Sequence, residues 1–341
     1  MAFVGSSMKG FPMLFSRFFL LASVGFFTLL IIQQADASVM VTVGNINNED
    51  DDTGYGAVDY EYRISATEVT NSEYATFLNA VAATDTYGLY NSEMSGTYGG
   101  ISQNGSSGNF SYSVNSDRGE NPVAYVTFYD ALRYTNWLHN GMGNGDTENG
   151  AYTITDEGIT NNSITRNPGA TWFLPSEDEW YKAAYYDPTL NSNAGGYFDY
   201  ATRSDVAPIA ELPAGGINSA NYGQVDGNTT AVGAYTSALS PYGTYDQSGN
   251  VWEWNEAIIP EGDRGFRGGS WYTDYTFLSS SDRSGVHPGS EFGSNGFRVA
   301  SLSSPASVPE PGSLAVWAVL GGIGLCWRRR RARAKCASNA S

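Results

Sequence analysis

Cysteine is almost missing from this chain: Cys326 and Cys336, both near the C-terminus, are the only two in 341 residues. The body from Ser38 to Ser307 therefore forms no disulfide and offers no thiolate, whether as metal ligand or as nucleophile. Histidine is as scarce, with His139 and His287 alone, which excludes a histidine-rich metal centre. Positive charge is missing too. Of the 18 Lys and Arg, eight lie in the end segments, whereas of the 35 Asp and Glu only Asp36 and Glu310 do. The body is left with 10 cations against 33 acids, a formal charge of −23, and Lys182 as its one lysine. Such a surface repels nucleic acid and anionic lipid, so no nucleic-acid partner is expected; it suits a secreted protein or one that binds divalent cations. About 270 residues fit one large domain with a well-buried core. No fixed-period repeat is present.

Both ends read as addresses. Lys9 and Arg17 precede an apolar run from Phe18 to Ile32, followed by Ala35-Asp36-Ala37. That order predicts a secretory signal peptide over residues 1–37, cut after Ala37. The alternative is an uncleaved anchor, for which the run falls short of the roughly 20 residues a spanning helix needs. At the other end stand Pro309-Glu310-Pro311, then an apolar run from Leu314 to Trp327, then RRRRARAK. This resembles the bacterial PEP-CTERM sorting signal, which implies a linker over 303–312 and a hydrophobic segment with basic tail over 313–341. The resemblance implies transient inner-membrane anchoring, an exosortase as partner, and export to the cell surface or extracellular matrix of a Gram-negative-type bacterium. The arginines would hold the tail's end in the cytoplasm. A plain single-pass anchor is the alternative.

Within the body, Val58, Tyr60, Tyr62 and Ile64 alternate with polar residues and predict a half-buried strand. Thr70-Asn71-Ser72-Glu73 is a capping box, and Tyr74, Phe77, Leu78 and Val81 follow at helical spacing. Thr127 with Asp130 opens a second helix, with Leu132, Trp137 and Leu138 facing inward; Ser176 with Glu179 opens a third. Short strands are expected near Phe110–Val114 and at Ala151–Ile154, and mostly loops and short strands beyond Tyr186.

Three later phrases appear in order: GTYDQSGNVWEW from Gly243, RGFRGGSW from Arg264 and GFRVA from Gly296. Together with EVTNSEYATFLNAV, NPVAYVTFYDALRYTNWLHNG and WFLPSEDEWYKAAYYD, they resemble the formylglycine-generating-enzyme, or sulfatase-modifying-factor, family. The resemblance covers about Val58 to Ser301, which gives a domain over 58–302 after a lead-in at 38–57. It implies an α+β fold, large, irregular, related to C-type lectins and low in regular secondary structure.

The resemblance also implies structural Ca²⁺. One set of matching positions is Asp246, Gly249, Val251 and Glu253, the glycine and valine through carbonyls. A second is Asn221 and Asp226 with the carbonyls of Tyr222 and Asn228, its spacing one residue short of the family pattern. Carboxylate and carbonyl oxygens are what Ca²⁺ takes. The plain alternative is that Asp246 caps a turn and Glu253 faces solvent on an edge strand.

Catalytic members of the family use a cysteine pair and copper, and counting from GGSW places that pair near Thr273 and Leu278. Neither side chain forms a thiolate, so no catalytic residue and no copper are expected here. Two histidines are also too few to hold iron as in the related ergothioneine-pathway sulfoxide synthases. Ser279–Ser281, Asp282 and His287 lack any nucleophile elbow, so hydrolysis is not indicated. His139 is read as a helix-end cation, Arg298 as a buried hydrogen-bond fork, and Trp252 and Trp254 as core. Trp271 and Arg283 border the would-be groove and are candidates for a retained binding cleft. The expected function is binding of polysaccharide or an envelope protein through Tyr/Asn/Ser/Gly-rich loops. The alternatives are a formylglycine-generating-type oxidoreductase that activates sulfatases, or a structural matrix component.

Overall fold

Each of the three longest helices begins at a reciprocal cap. The Thr70 hydroxyl accepts from the Glu73 amide while the Glu73 carboxylate accepts from the Thr70 amide, and Thr127/Asp130 and Ser176/Glu179 repeat the arrangement. Two orphan amides are satisfied at each start, which is why the helices begin where they do.

The computed structural model describes residues 38–302. Its first half carries β1 (Met40–Val43), β2 (Tyr62–Ser65), α1 (Asn71–Val81), β3 (Ile101–Asn104), β4 (Ser111–Val114), α2 (Phe128–His139) and α3 (Asp156–Thr160). Then come β5 (Trp172–Phe173), α4 (Glu177–Tyr185), β6 (Tyr186–Asp187), β7 (Gly196–Tyr197), β8 (Ile209–Ala210) and β9 (Ser219–Ala220). The last part holds β10 (Trp252–Ile259), β11 (Asp263–Arg267), β12 (Ser284–Val286), β13 (Asn295–Gly296) and β14 (Ala300–Ser301). The expected signal peptide and the sorting motif Pro309, Glu310 and Pro311 lie outside the described residues. Among the described residues, no helix is long and apolar enough to cross a membrane.

Two four-stranded sheets organise the chain. One runs β1-β2-β14-β5, all antiparallel, so the N-terminal and C-terminal strands of the domain are bonded through Ile64 opposite Ala300. The other runs β12-β11-β10-β13, with β10 and β13 parallel. Because β1 pairs residue for residue with β2, the stretch expected as a lead-in belongs to the first sheet. Between α1 and α2 the core is aromatic: Tyr74 stacks on Tyr134 at 6.0 Å, and Phe77 meets Trp137 at 5.4 Å. Phe297 closes edge-on against Tyr134, tying the late GFR phrase to the early helices.

Two expected strands come out differently. Of the Val58–Ile64 alternation, only residues from Tyr62 onward pair as a strand; Tyr60 turns its hydroxyl to the Glu179 carboxylate at 2.5 Å instead. Ala151–Ile154 forms isolated bridges, because the Asn136 side chain takes both the amide and the carbonyl of Tyr152, at 2.7 and 3.0 Å. The strand near Phe110–Val114 is present as β4.

Removal of the cap by Thr127→Ala is expected to cost about 1 kcal/mol of unfolding free energy in a urea titration. Its partner Asp130 is buried, which pushes its carboxyl up from 3.8 to about 6 against the pull of Thr127 and Arg133. A carboxyl raised on folding contributes stability that is complete below its unfolded value, near pH 4, and lost as pH rises through about 6. Between pH 4 and 7 the wild type is therefore expected to lose stability relative to Asp130→Asn, read from urea midpoints.

Candidate functional site

Strand alternation in Trp252-Glu253-Trp254 decides the centre of the molecule. The two indoles pack against Phe266, and Trp254 also meets Phe128, so Glu253 points to the opposite face, where no water reaches it. There its Oε2 accepts from Trp180 Nε1 at 2.7 Å and from Arg298 Nε at 2.5 Å, and its Oε1 from Arg298 Nη2 at 2.7 Å. The same guanidinium donates to the carbonyls of Ser65 and Tyr245, at 3.0 and 2.8 Å. Arg298 is thus a buried fork, as the sequence suggested. Glu253 faces the interior, not solvent, and its strand lies between β11 and β13 rather than at an edge.

Two further carboxylates lie within electrostatic reach of this guanidinium. Glu68 is wholly buried; its Oε1 accepts from Asn250 Nδ2 at 2.9 Å and its Oε2 has no hydrogen-bond partner. Burial and the charges of Asp246 and Glu253 hold the Glu68 carboxyl well above the usual range, with Arg298 pulling the other way. Asp246 accepts from the Gly233 amide at 2.6 Å, and desolvation pushes it up to about 6.

The first expected calcium set is therefore gathered round a cation the protein already supplies. Within it, Glu253 is engaged by Arg298 and Trp180, and Asp246 by the Gly233 amide. The second set differs. The Asn221 Oδ1 is buried without a hydrogen-bond partner, while its Nδ2 reaches the Asn228 carbonyl at 2.8 Å. Asp226 is exposed nearby, close enough to act on the charge of Arg118, and the Tyr222 backbone is fixed by a turn to Val225. An orphaned buried amide oxygen in the same loop as backbone carbonyls and an exposed carboxylate offers oxygen donors of the kind Ca²⁺ takes. The two sets adjoin at Gly249, whose added Cβ would stand 2.4 Å from the Asn221 carbonyl; its φ of +102° needs glycine as well. Among the described residues, no group of three or more His, Cys, Asp and Glu is placed to hold a metal.

Thr273 and Leu278 come together across Gly269, where an added Cβ would lie 3.2 Å from Thr273 Oγ1 and 2.8 Å from Leu278 Cδ1. Thr273 is bonded to Ser270, and Leu278 is buried in a small cluster with Tyr200 and Ala220. The two groove candidates have different neighbours. Trp271 stacks on Tyr98, while Arg283 donates to both oxygens of Glu177, which also takes Arg267. His139 ends α2 with Nδ1 beside the Thr171 hydroxyl at 2.9 Å, and His287 is exposed.

Sequence reasoning missed Glu68, Asn250 and Trp180. Their signal was present, since each sits inside one of the family motifs, but nothing in a linear pattern says that Trp180 meets the Glu253 carboxylate or that Asn250 meets that of Glu68.

The two-sheet arrangement with capped helices and long ordered loops is a mixed α/β fold of the C-type-lectin-like kind, sparing in regular secondary structure. Residues 31–302 match the sulfatase-modifying factor enzyme 1-like domain, and the chain belongs to that family. Hercynine oxygenase of Mycolicibacterium smegmatis is 27% identical over 194 residues, which is 50% of this chain but only 35% of that protein. Among solved structures, CarF superposes with a TM-score of 0.51 at 23% identity, covering 79% of this chain and 99% of its own. Treponema denticola variable protein 1 aligns at 20% identity with a TM-score of 0.48, over 77% and 95%.

Replacing Arg298 by methionine strands Glu253 without its counter-charge and is expected to cost about 3–5 kcal/mol of stability. Replacing Arg298 and Glu253 together by methionines is expected to recover part of that loss, measured by the double-mutant cycle in denaturant.

Proposed function

We propose that this chain is an exported, non-catalytic member of its family that binds polysaccharide or a surface protein in the cell envelope or extracellular matrix. The observation that carries the reading is the pair Thr273 and Leu278. They flank Gly269 where the resemblance implies two cysteines, and no thiol exists anywhere in the body. A threonine hydroxyl and an alkyl group supply neither a copper(I) ligand nor a redox-active sulfur. The loops round this place are rich in tyrosine, asparagine and serine, residues that give adaptable contacts. In this reading the terminal segments serve export, with transient inner-membrane anchoring and release by an exosortase.

An oxidoreductase reading draws on the relative named hercynine oxygenase, whose matched portion is a minor share of that protein. One assay separates the two. A CxPxR peptide incubated with the chain, copper and O₂ is expected to yield no aldehyde by mass spectrometry, and the chain is expected to retain at least one envelope polysaccharide or protein. Aldehyde formation overturns the reading.

We also propose structural Ca²⁺ held by Asn221, Asp226 and the carbonyls of Tyr222 and Asn228. Bound there, the ion would clamp the 221–228 loop and offset local negative charge. Calcium is expected to raise the melting temperature and EGTA to lower it again. Asp226→Asn is expected to abolish that difference.

A further inference from the structure

We propose that the aromatic surface built on Trp271 is a docking platform for a polysaccharide whose sugars carry free amines; this rests on the binding reading above. Trp271 is buried at its base, with its indole Nε1 donating to the Gly293 carbonyl at 3.2 Å. Tyr98 lies nearly flat on it, at 4.9 Å and 24° between planes, and Tyr272 stands edge-on at 5.6 Å. Gly293 sits so close to Tyr125 and Tyr98 that an added Cβ would meet the Tyr125 hydroxyl at 2.8 Å and the Tyr98 Cβ at 3.0 Å. That closeness brings the neighbouring Phe292 to the same place. Three rings remain open to solvent: Tyr98 at 39%, Phe292 at 52% and Tyr272 at 61%.

The platform is fixed from beneath. The Gln224 amide donates to the Trp271 carbonyl and the Gly223 amide to the Thr273 carbonyl, both at 2.7 Å; Asn228 Nδ2 reaches the Thr97 carbonyl at 2.8 Å. A backbone held this way beneath the rings leaves less to order when a ligand binds. Flat aromatic faces offer the C–H faces of a pyranose ring a large apolar contact, and tyrosine adds a polar edge.

Charge selects among glycans. The ionisable groups round the platform are acids: Glu93, which acts on Tyr125, Glu291, bonded to Asn91, and Asp274, next but one to Tyr272. Arg118, which bonds the Gly99 carbonyl next to this loop, is also turned to the Thr229 carbonyl. In fact all nine described arginines and Lys182 donate to acceptors within the protein. Among the described residues no arginine or lysine is left without an internal acceptor for an anionic glycan to displace, while an ammonium on the sugar gains from ring faces and from carboxylates together.

The test uses the full chain and isothermal titration calorimetry at mildly acidic pH, where glucosamine amines are charged. The probes are a β-1,4-glucosamine hexamer, its fully N-acetylated counterpart, an oligogalacturonate and an oligo-arginine peptide. The glucosamine hexamer is expected to bind, roughly tenfold tighter than the acetylated form, with affinity falling as salt is raised; the oligogalacturonate is expected to show no binding that Tyr98→Ala or Tyr272→Ala weakens. Tyr98→Ala and Tyr272→Ala, exposed changes whose folding is checked by melting temperature, are each expected to weaken glucosamine binding about tenfold. Equal binding of the acetylated form or of the oligo-arginine peptide overturns the proposal, as does glucosamine binding untouched by both substitutions. If the chain holds another envelope polysaccharide but no glucosamine polymer, this inference falls and the binding reading stands. Aldehyde formation from the CxPxR peptide removes the binding reading itself.

Discussion

One buried ion pair, Arg298 with Glu253, draws segments far apart in the chain to a common centre. Its guanidinium fork spans the end of β2 at Ser65, the loop at Tyr245 and the start of β10, while Trp180 brings in α4 through the same carboxylate. Two desolvated charges are costly to bury, and the cost is offset only where geometry satisfies nearly every donor. Here all three guanidinium nitrogens have acceptors. The pair adds a side-chain tie to the backbone ladders that already align the GFR phrase with the WEW phrase and with the first sheet.

The alternation that buries Glu253 also fixes the hydrophobic side of β10. Trp252 and Trp254 go to the aromatic core with Phe266 and Phe128, and the opposite face becomes the polar interior of Glu68, Asp246 and Asn250. Burial first, and then the negative charge of the neighbouring carboxylates, raises the protonation range of Glu68 and Asp246. A core of this kind gives specificity of arrangement more than net stability, and the aromatic packing between α1 and α2 supplies the apolar burial beside it.

Local grammar was legible in the sequence; meeting points were not. The capping boxes at Thr70, Thr127 and Ser176 are read from four residues each, because a cap satisfies its own helix and needs no distant partner. Arg298 as a fork, and Trp252 and Trp254 as core, follow from residue type in a short strand. The strand expected at Ala151–Ile154 failed for a non-local reason, since Asn136 on α2 occupies the backbone of Tyr152. The same blindness hid Glu68 and Trp180. A sequence window shows an acid or an indole, whereas its role depends on a carboxylate 73 residues from Trp180 and a guanidinium further still. For the candidate site, Trp271 was visible through GGSW, but Tyr98, which covers it, lies in a loop without motif.

The charge of the body has a structural origin that composition alone conceals. Arg133 pairs with Glu148, Arg166 with Glu179 and Glu256, and Arg267 and Arg283 with Glu177. Arg264 donates to the carbonyls of Glu256, Asn162 and Ile164, and Lys182 to those of Asn45 and Val58. In a body without disulfides these cations take over the stitching between loops, each drawing carboxylates or carbonyls into the interior. Apart from the buried Glu68, most of the acids outside these pairs lie half-buried or exposed at the surface. An electronegative exterior is thus the complement of an arginine-stitched interior, and the sign of any partner is constrained by how the fold is held together.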